Sequence, residues 1–225
     1  MTEHKLPADI ERTSLSIITK ELEALGIALE PENAPVVKRV IHTTADFDYA
    51  KNLYLSSGAA ALGASALAKG TPIITDTNMA RAGVSKPGLA KCGGEVLCFM
   101  AEPEVAEAAK LAGTTRAVAA VKKAAALYPT GIFAVGNAPT ALLALYEEME
   151  NNPDFRPALI VGVPVGFVNV VESKELLVKT CRKFSVPVIA AMGRKGGSNV
   201  AAAICNALIY TAADMLDPTN RGWQG

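Results

Sequence analysis

Five short apolar runs, each bounded by glycine or proline and separated by helical segments, limit how this chain can fold. They are residues 72–76, 95–100, 131–135, 158–162 and 187–191. Runs this short and this apolar suit strands buried on both faces. The intervening segments, notably 140–151, 173–184 and 199–215, read as helices. Repeated strand–helix units imply a mainly parallel sheet with helices on both faces. The expected architecture is therefore an α/β fold, a three-layer α/β/α single domain over residues 1–225, with about five strands. No linker, low-complexity tract or internal repeat interrupts it. Half the residues are hydrophobic and only 5% aromatic, as closely packed α/β layers require.

The flanks carry less regular information. Asp9 reads as the cap of a helix running to about Leu25 and closed by Gly26. Ile10, Ile17, Ile18, Leu22 and Leu25 then share one face, and Ser14 sits on the same side. A serine there ordinarily bonds the carbonyl four residues back. Spacing favours that structural role, although the hydroxyl could instead reach a ligand over the helix edge. A second helix starts at Asn33 and Pro35 and runs to about His42. At about 100° per residue, Val36, Val37, Val40 and Ile41 form its buried stripe, with Arg39 and His42 together on the opposite face. From about Tyr49 the chain reads as helical through the small residues 59–68.

Function is bounded next. The chain has 22 basic and 22 acidic side chains, so no global field draws it to nucleic acid or anionic lipid. No apolar run is long enough to span a membrane, and the first residues lack a signal-peptide core. A cytoplasmic protein is expected. The cysteines at 92, 98, 181 and 205 form no C-x-x-C pair, and two histidines cannot complete a typical zinc site, so no bound metal is expected. His4 lies in a polar tail expected to fray, which leaves His42 as almost the only unperturbed group for proton chemistry near neutral pH. Asp46 and Asp48 would raise its pKa if either reached it.

Strand ends in such sheets carry ligands, and here they are richly decorated. The 193–198 loop joins two cations, flexible glycines and a helix start, which suits an anion. There is no Walker A loop, and no G-x-G-x-x-G follows a strand.

Six stretches together resemble the precorrin-8X methylmutase family of cobalamin biosynthesis. They are Arg39-Val40-Ile41-His42-Thr43-Thr44, Thr75-Asp76-Thr77-Asn78-Met79, Gly136-Asn137-Ala138-Pro139-Thr140-Ala141-Leu142, Gly162-Val163-Pro164-Val165-Gly166-Phe167-Val168, Glu172-Ser173-Lys174-Glu175 and Gly193-Arg194-Lys195-Gly196-Gly197-Ser198. The likeness runs from about Ile10 to about Leu208. It implies an isomerase that moves a methyl group from C-11 to C-12 of a corrinoid ring. It implies no cofactor, any cobalt being carried by the substrate, and a homodimer with active sites near the subunit interface. It places the catalytic histidine on His42 and substrate contacts on Ser14 and Arg39, which for Ser14 reverses the preference from spacing. The carboxylate arms of the ring need cations, for which Arg116, Arg194 and Lys195 are candidates; surface charge explains these three equally well. Val170-Val171 before the Glu172 block favours the cobalt-containing substrate. Two competing functions remain at this stage: a corrinoid carrier without turnover, and a nucleotide-dependent enzyme using the 193–198 loop.

Overall fold

The computed structural model describes residues 6–221. His4 falls outside that span. The chain opens with α1 (Pro7–Ala24), α2 (Ala34–Thr44), a one-turn α3 (Tyr49–Asn52), β1 (Leu53–Leu55) and α4 (Ala59–Ala68). Then come β2 (Ile73–Thr75), α5 (Asn78–Gly83), α6 (Lys86–Lys91), β3 (Val96–Leu97), α7 (Pro103–Leu111) and α8 (Arg116–Leu127). The last part is β4 (Ile132–Val135), α9 (Pro139–Asn151), β5 (Leu159–Gly162), α10 (Val170–Phe184), β6 (Val188–Ala191), α11 (Ser198–Ala212) and a 3-10 turn, Pro218–Arg221.

All five expected strands form, in the order β3-β2-β4-β5-β6, and every pair among them is parallel. A sixth, β1, pairs antiparallel with β6 at the edge, so the stretch read as continuous helix from Tyr49 is broken by a strand. Successive residues face opposite layers. Ile73, Ile132, Ala134, Val161 and Ile189 pack toward α1, α2, α4 and α11. Ile74, Phe133, Val135, Ile160 and Val188 pack toward α7 to α10. This is the three-layer arrangement expected. Helix α11, buried along most of its length, packs against both α2 and α4.

Two corrections concern α1. It begins at Pro7, whose missing N–H suits a first-turn position, and Asp9 is a first-turn residue rather than the cap. Its apolar residues also divide into two faces. Ile18 and Leu22 are buried, but Ile10 and Ile17 are 51% exposed and Leu25 59%. The expected stripe of α2 is intact, with Val36, Val37, Val40 and Ile41 buried. The helix extends to Thr44 and stops where Ala45 turns left-handed.

Candidate functional site

Helices α1 and α2 are joined by two polar rungs with the same sequence offset of 28. In the first rung Ser14 Oγ lies 2.8 Å from His42 Nδ1. The expected serine-to-carbonyl bond is absent from the described residues, because the hydroxyl is engaged with the imidazole instead. One turn earlier, the second rung is Arg39 Nη2 donating to Glu11 Oε1 at 2.5 Å. Each rung combines residues three apart on each helix, so a single face of α1 meets a single face of α2.

His42 and Ser14 line a cavity of about 360 Å³ whose walls are otherwise mostly apolar: Ile10, Ile17, Ile41 and Phe47. Arg39 opens instead onto a neighbouring hollow of about 260 Å³, with Thr43, Asn199, Asn206 and Tyr210. Burial and then the Arg39 guanidinium push the His42 pKa below its ordinary value, Arg221 adds to this, and Glu11 opposes it. That direction favours the neutral imidazole. Asp46 and Asp48 do not raise it: both accept from Lys195 Nζ, at 2.6 and 2.7 Å.

The remaining candidates lie apart. Lys195 and Arg194 sit in the loop between β6 and α11. The Lys195 ammonium is taken up by the two aspartates, which tie that loop to the end of α2. The Arg194 guanidinium lies 5.5 Å from the centre of the exposed Phe167 ring. Arg116 heads α8 in the opposite layer. Its neighbour Thr115 bonds Thr140 at 3.1 Å, which brings it to the carboxyl edge of the sheet but not to His42. Ser14, Arg39 and His42 thus come together, Lys195 is tied to the segment just after α2 through Asp46 and Asp48, Arg194 lies against Phe167, and Arg116 lies in the opposite layer.

Several buried polar groups were not anticipated. Glu11 is 6% exposed and accepts from both Arg39 and Arg221. Burial works against its ionisation, but the two arginines outweigh it and hold the carboxyl below the usual range. Asp76, at the end of β2, accepts from the amides of Gly136, Asn137 and Ala138 at 2.8–2.9 Å. Those amides open α9, where a parallel sheet of this order would place a phosphate. The protein's own carboxylate fills that position. Lys174 is fully buried and donates to the carbonyls of Gly193 and Lys195 at 2.8 and 2.9 Å. The 193–198 loop is further pinned where the Gly197 amide bonds Val163 O, and a Cβ on Gly196 would lie 2.1 Å from that same oxygen. Gly196 thus serves close backbone packing rather than marking a phosphate loop by itself, which weakens the nucleotide reading. Thr75-Asp76 and Ser173-Lys174 stood inside the quoted motifs without a role; Glu11 was detectable as the residue three before Ser14, matching Arg39 three before His42.

Among the described residues no cluster of three or more His, Cys, Asp or Glu side chains could hold a metal ion. Burial pushes the thiols of Cys181 and Cys205 up to about 12, which leaves them unreactive. No helix among the described residues is long and apolar enough to cross a membrane.

The family model for precorrin-8X methylmutase matches residues 9–211. The chain belongs to that family. The cobalt-precorrin-8 methylmutase of Salmonella typhimurium is 44% identical over 208 residues, covering 91% of this chain and 95% of its own. The precorrin-8X methylmutase of Pseudomonas aeruginosa is 39% identical over 199 residues, covering 88% and 93%. A solved precorrin-8X methyl mutase from Thermus thermophilus superposes with a TM-score of 0.80 at 42% identity, covering 91% of this chain and 98% of that one. The family match includes Ser14, Arg39 and His42 and ends before Arg221.

Proposed function

We propose that this chain isomerises precorrin-8X or its cobalt complex by moving the C-11 methyl group to C-12, with His42 as the group that exchanges a proton with the ring. The observation that carries the reading is the Ser14–His42 pair set into an apolar wall. The methylmutase names of relatives across nearly the whole chain support it.

The reaction breaks one C–CH₃ bond as it forms another on the adjacent carbon, and the composition of the ring is unchanged. Any proton lent must therefore return. No nucleophile is required, only a donor placed where electron density accumulates as the methyl moves. Ser14, donating to Nδ1, would hold the imidazole in the tautomer whose Nε2–H faces the cavity. A neutral histidine can then act as a hydrogen-bond donor without first being charged. The peripheral carboxylates would be met by Arg39 and Arg194, since a planar guanidinium matches a carboxylate better than an ammonium does. Lys195, already paired with two aspartates, would act by tying its loop to α2.

A cavity of about 360 Å³ is small for a many-armed macrocycle. Its rim residues Ile10 and Ile17, half-exposed and apolar, would be covered by a second copy of the chain, consistent with a homodimer. The Val170-Val171 pair and relatives named for the cobalt form make cobalt-precorrin-8 the substrate to test first. Absorbance change on mixing the protein with each substrate form tests the proposal. Turnover is expected for wild type, with a loss of about 10²–10⁴-fold in His42→Ala. Near-wild-type turnover by His42→Ala would remove the assignment.

A further inference from the structure

Beside the Ser14–His42 pair lies a charge cluster assembled from three distant parts of the chain. Glu11 comes from α1, Arg39 from α2 and Arg221 from the C-terminal turn. Arg221 Nη1 donates to both oxygens of Glu11, each at 2.6 Å, while its other nitrogens donate to the carbonyls of Met215 and Leu216. The Tyr210 ring of α11 lies against both guanidinia, 3.9 Å from that of Arg221 and 5.2 Å from that of Arg39. All three charged side chains are shielded from water, with 7%, 12% and 2% of Glu11, Arg39 and Arg221 exposed. A nearby exposed pair, Arg12 with Asp217 at 3.2 Å, binds the same C-terminal segment to α1.

We infer that Glu11 and Arg221 are positioning residues for the reaction: the C-terminal segment, acting through them, clamps α1 to α2 and so fixes the Ser14–His42 pair. The inference rests on reading His42 as the reacting group. Two features distinguish the cluster from an ordinary ion pair. First, Glu11 and Arg39 each stand one helical turn before the residues they would place, so a slip of the second rung moves the first. Second, one carboxylate faces two guanidinia, leaving one net positive charge in a water-poor setting beside the imidazole, where charges act strongly. That excess favours the neutral ring, in line with the direction in which burial, Arg39 and Arg221 shift it. The other ionisable side chain lining the His42 cavity is Glu21 of α1. Asp46 and Asp48 are neutralised by Lys195.

The test follows from opposite signs. With only two histidines in the chain, a proton NMR titration of the free protein reports His42 with His4 as an internal comparison. Glu11→Gln removes the compensating charge and is expected to lower the His42 pKa by about half a unit or more, whereas Arg221→Met is expected to raise it similarly. The double variant is expected to return close to wild type. Both single variants are expected to lose kcat, and Arg221→Lys, which restores the charge without the fork, is expected to recover the wild-type titration but only part of kcat. Shifts in the same direction, or none, would overturn the inference. Should Arg221→Met not fold, the near-isosteric Glu11→Gln decides alone: an unmoved His42 sinks the proposal. The titration needs no corrinoid, so its outcome is separate from that of the turnover assay.

Discussion

The surroundings of His42 favour its neutral form, and this has a consequence for stability. Its folded pKa lies below the ordinary value of 6.5. In acid the unfolded chain therefore takes up that proton first, and protonation favours unfolding. The His42 contribution is fully present above about pH 6.5 and is lost as the pH falls through the lower folded value. Urea midpoints measured between pH 7.5 and 5 are expected to fall in wild type and to fall less in His42→Gln. Glu11, also depressed, loses its share only in a more acidic window, below its ordinary 4.5. Ser14 tests the same centre differently. Removing one hydrogen bond to the imidazole is expected to reduce kcat in Ser14→Ala by about 2–10-fold with little change in KM. Spacing alone left the role of Ser14 open, because a hydroxyl on a helix is ambiguous until its partner helix is placed.

At the scale of elements, Lys174 links α10 to the loop after β6. Burial draws its pKa down to about 8, yet two carbonyls hold the ammonium. Lys174→Met fills the space but orphans both acceptors, at about 1–3 kcal/mol each, which a urea midpoint would register. Gly196→Ala is expected to be at least as damaging, since its φ of +157° and the 2.1 Å approach to Val163 O exclude a Cβ. The five parallel strands were readable because each is a self-contained apolar run between Gly or Pro. Strand β1 was not, since three residues after a helical turn become a strand only by pairing with β6. The α1 stripe was misread for a related reason. Periodicity marks apolar residues but does not separate those that meet the core, Ile18 and Leu22, from those left at a cavity rim, Ile10 and Ile17. Long-range charge clusters are the least legible, since nothing local in the sequence connects Glu11 with Arg221.

For the whole molecule, the exposed apolar rim around the His42 cavity argues for a second copy covering it. Sedimentation is expected to give twice the 23.4 kDa of one chain. Ile17→Glu, on that rim, is expected to shift the protein toward monomers and to weaken corrinoid binding together. A variant that stayed dimeric with full activity would place the interface elsewhere. Asp76 occupies the amides at the sheet's switch point and the 193–198 loop packs onto Val163, whereas the His42 cavity sets an ionisable group into an apolar wall. A structure with the corrinoid product bound tests this most directly. The account predicts the C-11/C-12 edge of the ring at hydrogen-bonding range of His42 Nε2; a ring seated on the far layer near Arg116, with His42 out of reach, would contradict it.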